Sequence, residues 1–109
     1  MTKTPYDACI AACYDCAAHC DVCAASCLRE QEPKPMARCI VLDRDCAAAC
    51  RLAAAAMAGG SEFAADICRL CARICEACAE ECGKHPMEHC RECADACKRC
   101  AQACHDVAP

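Results

Sequence analysis

Small apolar residues recur along this chain in alternating steps of three and four, and cysteine fills nearly every recurring position. The first run is Cys9, Cys13, Cys16, Cys20, Cys23 and Cys27. A sparser run follows at Cys39, Cys46 and Cys50. Two more take the same 3, 4, 3, 4 step: Cys68, Cys71, Cys75, Cys78 and Cys82, then Cys90, Cys93, Cys97, Cys100 and Cys104. This period is the inward seam of a helix packed in a left-handed bundle, and it excludes the two-residue period of a strand. Alanines flank the seam, as at Ala11, Ala12, Ala17, Ala18, Ala24 and Ala25. Charged residues such as Asp15, Asp21, Arg73, Glu76, Lys98 and Arg99 fall on the outer, solvated face.

Helix breakers stand between the runs. Thr4-Pro5-Tyr6-Asp7 reads as a cap, a proline at the first helical position and an acid in the first turn. Glu32-Pro33-Lys34-Pro35 separates the first run from the second. Gly59-Gly60-Ser61 ends one helix and caps the next, and Gly83-Lys84-His85-Pro86 does the same before the last run. The pattern predicts helices near 5–31, 35–58, 61–83 and 86–106. Connections this short make neighbouring helices antiparallel. The expected fold is therefore all-α, one antiparallel up-down-up-down four-helix bundle over residues 1–109, with thiols lining its interior.

Composition sharpens the question of what holds such a core together. Cysteine supplies 19 of 109 residues and alanine 26, while the chain has no Trp, one Phe and two Tyr. Side chains this small bury little apolar area, so burial alone makes a marginal core. The net charge of −4 comes from intermingled acids and bases with no basic run, which excludes nucleic-acid binding. No stretch reads as a membrane span, and no secretory leader follows Met1. The expected location is the cytoplasm, where thiols stay reduced and cysteine clusters more often mean metal or redox chemistry than disulfides.

Several uses of a thiol-lined core compete. Packing alone needs only alanine, which is abundant here. A disulfide ladder conflicts with the geometry of neighbours three or four apart on a helix, whose Cβ atoms stand ~5–6 Å apart, and 19 cysteines cannot all pair within one chain. Zinc or iron–sulfur binding uses discrete groups of four ligands and remains an alternative. A thiol redox buffer also remains open, although catalytic thiols are usually few and exposed. Continuous seams suit Cu(I) best, because it accepts two or three thiolates and lets a thiolate bridge neighbouring ions. Charge points the same way: one Cu(I) per thiolate neutralises the core, whereas zinc in four thiolates leaves a net −2 per site.

The repeated Cys-x-x-x-Cys and Cys-x-x-Cys steps on four helices, from about Pro5 to Val107, resemble the bacterial copper storage proteins, in particular their cytosolic branch. The resemblance implies storage of many Cu(I) ions per bundle, no catalysis and a homotetramer. It implies a ligand role for all the cysteines: Cys9, Cys13, Cys16, Cys20, Cys23, Cys27, Cys39, Cys46, Cys50, Cys68, Cys71, Cys75, Cys78, Cys82, Cys90, Cys93, Cys97, Cys100 and Cys104. A copper chaperone or a small thiol is the expected exchange partner. The second helix departs from the pattern, since its seam runs Met36, Cys39, Asp43, Cys46, Cys50, Ala53, Met57. Copper density is expected to be lowest beside Ala53 and Met57.

Residues beside the seam extend the candidate set. Met36, Met87 and His89 gather at one end of the bundle and are candidate additional ligands there. His85 reads as a loop or cap residue, His19 and His105 lie off the seam, and Met57 reads as an apolar plug. Asp43 falls on the seam, where a buried carboxylate needs a partner or a metal. A small rotation bringing Leu42 inward and leaving Asp43 at the margin near Arg44 is the expectation. Val41, Leu52, Ile67, Leu70 and Ile74 lie off the seam and suggest a subunit contact.

Overall fold

The computed structural model describes residues 3–109. Four helices form: α1 (Asp7–Leu28), α2 (Ala37–Ala58), α3 (Ala64–Cys82) and α4 (Glu88–Val107), with a single 3-10 turn at Lys34–Met36 before α2. No strand occurs among the described residues. α1 packs on α2 and α4, and α3 packs on the same two, which closes the four helices around a central axis. The particle measures 45 × 25 × 17 Å.

Each helix starts or stops within a few residues of its expected place, and local hydrogen bonds explain the offsets. α1 begins two residues after Pro5 because Thr4 and Asp7 close a turn first. The Thr4 hydroxyl and backbone N–H both donate to the Asp7 carboxylate, at 2.8 and 3.1 Å, and the Asp7 N–H returns to the Thr4 carbonyl at 3.3 Å. Ser61 acts likewise before α3: its hydroxyl oxygen accepts the Phe63 N–H at 3.0 Å. α2 ends where Gly60 takes a left-handed φ of 65°. The Ser61 N–H then reaches back to the Ala56 carbonyl at 2.9 Å, the six-to-one bond of a glycine-terminated helix. Pro33 and Pro35 direct the chain into the 3-10 turn, which buries Met36 under the end of the bundle.

All nineteen cysteines point inward, none more than 2% exposed, and all are free thiols. Buried alanines such as Ala17, Ala47, Ala54, Ala72, Ala94 and Ala101 fill the lines between helices. Small residues there let the backbones approach, while the sulfurs occupy the axis. One expectation is corrected. By length and by a mean hydropathy of 1.2 over an eighteen-residue window, α1 is apolar enough to cross a membrane. Six cysteines and seven alanines raise that figure, and its cysteine face is buried against the other helices.

Candidate metal centre

The sulfurs form a continuous column of near contacts. At mid-column, Cys46 lies 3.7 Å from Cys16, 3.5 Å from Cys75, 3.9 Å from Cys50 and 3.9 Å from Cys97. Cys97 continues to Cys16 at 3.6 Å and Cys20 at 3.8 Å. Cys100 stands 3.6 Å from Cys13 and 3.7 Å from Cys50. Cys9 meets Cys104 at 3.7 Å at one end, and Cys23 meets Cys90 at 3.8 Å towards the other. The closest pair is Cys39 and Cys82 at 3.3 Å. All of these exceed the ~2.05 Å of a disulfide. They fit another spacing: with metal–sulfur bonds of ~2.3 Å, the corners of a trigonal thiolate site stand ~4.0 Å apart.

Quartets of mutually close ligand atoms overlap along the column. Cys16, Cys46, Cys50 and Cys75 form one, and Cys16, Cys20, Cys46 and Cys97 form the next. Cys20 and Cys97 then join Cys78 and Cys93. Further quartets lie nearer the ends, at Cys13, Cys71, Cys100 and Cys104 and at Cys23, Cys27, Cys39 and Cys90, joined to the rest by Cys50–Cys100 at 3.7 Å and Cys39–Cys82 at 3.3 Å. Shared sulfurs mean that an ion in one group has thiolates in common with its neighbour. Without metal, the thiols stay protonated where burial dominates: it pushes Cys90 up to about 11 and raises Cys27 and Cys68 as well. Metal binding must therefore release protons.

Asp43 overturns its expectation. The carboxylate is fully buried on the axis, while Leu42 is only half-buried and Arg44 is exposed. Its Oδ1 accepts from the thiols of Cys78 at 3.2 Å, Cys93 at 3.3 Å and Cys82 at 3.4 Å. Cys39 donates to Oδ2 at 3.8 Å. Thiol donors supplied by three helices stand in for the basic partner that an outward rotation would offer. Burial first, and then the electrostatic effect of Cys93 and Cys78, push this carboxyl up to about 10.

The end of the bundle carrying Met36 opens onto a cavity of about 630 Å³ lined by Glu30, Glu32, Met36, His85 and Met87 among others. Met36 is buried and Met87 half-buried. Among the described residues, His89 is the histidine whose ring meets the thiols: Nδ1 lies 3.4 Å from Cys23 and 3.6 Å from Cys90. Its Nε2 is held at 2.9 Å by Glu30, a carboxylate–histidine pair of the kind that fixes a ligand's tautomer. His85 turns instead to Glu81 at 2.9 Å, and Arg38 reaches the same carboxylate at 3.1 Å. His85, first among these contacts, holds the Glu81 carboxyl below its ordinary value. His105 pairs with Glu76 at 2.7 Å and His19 lies 3.6 Å from Asp15, both away from the column. Glu30 is not apparent from sequence because its partner lies 59 positions away. Glu81 stands four residues before His85, a helical pairing that the sequence does contain.

At the opposite end Met57 and Ala53 are buried in the positions where α2 lacks thiols. On the outside, Val41, Leu52 and Leu70 are exposed, while Ile67 and Ile74 are half-buried against the core.

Fold and site together define a helical bundle whose interior is a column of closely spaced sulfurs. Residues 2–109 match the copper storage protein family, Csp, and the chain belongs to it. Three solved structures are similar over most of its length. The Cu(I)-bound copper storage protein BsCsp3 is 50% identical, with a TM-score of 0.91 over 94% of this chain and 97% of that one. The metal-free Csp3 of Bacillus subtilis is 48% identical, with a TM-score of 0.87 over 94% and 98%. A cytosolic copper storage protein of Streptomyces lividans, in a structure with five coppers, is 37% identical, with a TM-score of 0.92 over 94% and 91%.

Proposed function

We propose that this chain stores Cu(I) by filling its sulfur column, with all nineteen cysteines as ligands and many ions per chain. The overlap of the thiol quartets carries this reading. Overlapping groups suit an ion that takes two or three thiolates and shares them, whereas isolated quartets suit zinc. Nineteen buried thiolates also need nearly as many positive charges, and Cu(I) supplies one per sulfur. The whole chain acts as one domain, by binding alone and without bond-making chemistry. Location in the cytoplasm accords with nineteen reduced thiols. The exposed Val41, Leu52 and Leu70 support assembly into a homo-oligomer, the tetramer of the family resemblance. A copper chaperone or a small thiol exchanges copper with the open end.

Anaerobic titration of the reduced, metal-free protein with Cu(I) against a chelator tests the reading. Uptake of more than about ten ions per chain before the chelator complex forms is the expected result. Saturation at only a few ions would overturn it.

Met36, Met87 and His89 serve as neutral ligands at the open end. His89 has the clearest geometry, because its free Nδ1 faces Cys23 and Cys90. His89→Ala is expected to slow uptake of the first ions from a chelator by about tenfold, with the final stoichiometry lowered by no more than one ion. Stopped-flow loading followed by endpoint counting reads both. An unchanged rate would confine His89 to a structural role.

A further inference from the structure

Asp43 gives the column one place where the donor set changes. Oδ1 stands 3.2, 3.3 and 3.4 Å from the sulfurs of Cys78, Cys93 and Cys82, and Cys78 and Cys82 are 3.9 Å apart. A tetrahedral ion with bonds of ~2.3 Å to sulfur and ~2.0 Å to oxygen needs sulfur–oxygen separations of ~3.5 Å and sulfur–sulfur separations of ~3.8 Å. Shifts of Oδ1 by a few tenths of an ångström bring the three sulfur–oxygen separations to that value, and Cys78 and Cys82 already stand at about the sulfur spacing. We propose that Cys78, Cys82, Cys93 and Asp43 form a site for one divalent cation of the Zn(II) class, distinct in kind from the Cu(I) positions.

Donor chemistry separates the two metals. Cu(I) prefers soft sulfur and is satisfied by two or three thiolates, so a carboxylate adds little for it. Zn(II) takes four donors and accepts sulfur and oxygen together. The all-cysteine quartets fit zinc too, but they favour Cu(I). The ratio of zinc to copper affinity is therefore highest where oxygen replaces one sulfur. Binding displaces the three thiol protons, and any proton on the carboxyl, to solvent. Cys39 lies 3.8 Å from Oδ2, the place of the outer hydrogen bond that metal-bound carboxylates commonly receive. The site lies towards the open end, since Cys82 stands 3.3 Å from Cys39, three residues after Met36 in sequence. An ion from solvent passes buried Met36 and the Cys23, Cys27, Cys39 and Cys90 group to reach it, and excess Cu(I) later claims its sulfurs and releases it.

Co(II) provides the probe, added without oxygen to the reduced, copper-free full chain. One Co(II) per chain is expected to bind first, with the intense visible bands of a tetrahedral thiolate site, and to be displaced by one equivalent of Zn(II). Asp43→Ala is expected to weaken this binding by about tenfold or more and to alter the bands. Asp43→Asn keeps the side-chain shape and shows the same direction, which separates ligand loss from misfolding. Cys71→Ser, in a quartet towards the other end, leaves the first Co(II) unchanged. Wild-type affinity and spectrum in Asp43→Ala would overturn the proposal, as would loss of the first Co(II) in Cys71→Ser. Cu(I) capacity measured on the same samples distinguishes failures. Full copper capacity without Asp43-dependent Co(II) binding sinks the divalent site alone, whereas low copper capacity with that binding intact sinks the storage reading.

Discussion

Loaded with Cu(I), the protein is expected to melt at least ~15 °C above its reduced, metal-free form. The metal-free core is weak: apart from Met36, Met57 and Asp43 its interior is cysteine and alanine, and large apolar side chains such as Val22, Leu28, Val41 and Leu52 lie outside it. A ligand that binds only the folded state at a thousand times its dissociation constant adds ~4 kcal/mol per site. In a domain of this size each kcal/mol moves the midpoint by roughly 4–8 °C. The unfolded chain keeps its thiols and competes for copper, which subtracts from the gain. It cannot gather sulfurs from four helices, however, and contacts such as Cys46–Cys75 and Cys16–Cys97 exist only in the bundle. Helical circular dichroism against temperature, at several copper loadings, checks this. The midpoint should climb with each increment. Coincident melting curves for metal-free and loaded protein would show that copper sits on sulfurs the unfolded chain presents equally well.

The same contrast between local pattern and assembled bundle decides how much of the molecule is legible in its sequence. The seams stand out because the chain assigns them one residue type, so period, facing and chemistry coincide at Cys9 through Cys27 and again at Cys68 through Cys104. Helix ends are less legible by two or three residues. The residues that read as caps, Thr4 and Ser61, spend their hydrogen bonds on a turn before the helix starts. Asp43 is where two physical arguments conflict. The heptad puts it inside, and the cost of burying a carboxylate argues for turning it out. Weak thiol donors converging from α2, α3 and α4 satisfy it where it stands, and only the packed bundle brings Cys39, Cys78, Cys82 and Cys93 together. The pairing of Glu30 with His89 is hidden for a related reason: the two meet because their helices end at the same opening, and no local pattern links them.

Satisfying Asp43 does not remove its cost, and that cost should emerge as pH dependence. The carboxyl is pushed up to about 10 in the folded bundle by burial, then by Cys93 and Cys78, against 3.8 ordinarily. The folded state thus holds a proton that the unfolded chain has released above pH ~4. Stability from this group is complete below the unfolded value and is lost as pH rises towards the folded one. The slope is up to ~1.4 kcal/mol per pH unit between the two. Thiols raised by burial act in the same direction, but only once unfolded cysteines begin to ionise near pH ~8.5. Of the thiols that face the carboxylate, neighbouring thiol hydrogen bonds raise Cys82 and lower Cys39, Cys78 and Cys93, so the share of the slope between pH ~5 and ~8 that belongs to Asp43 is the part its replacement removes. Urea unfolding of the reduced, metal-free protein should show stability falling steadily across that interval. Asp43→Asn should flatten the decline and leave the variant more stable than the parent at the upper end of the interval. A decline of equal slope in Asp43→Asn would place the titrating group elsewhere. A copper- or zinc-loaded sample should lose the dependence as well, because a bound cation replaces the proton that the buried carboxyl otherwise keeps.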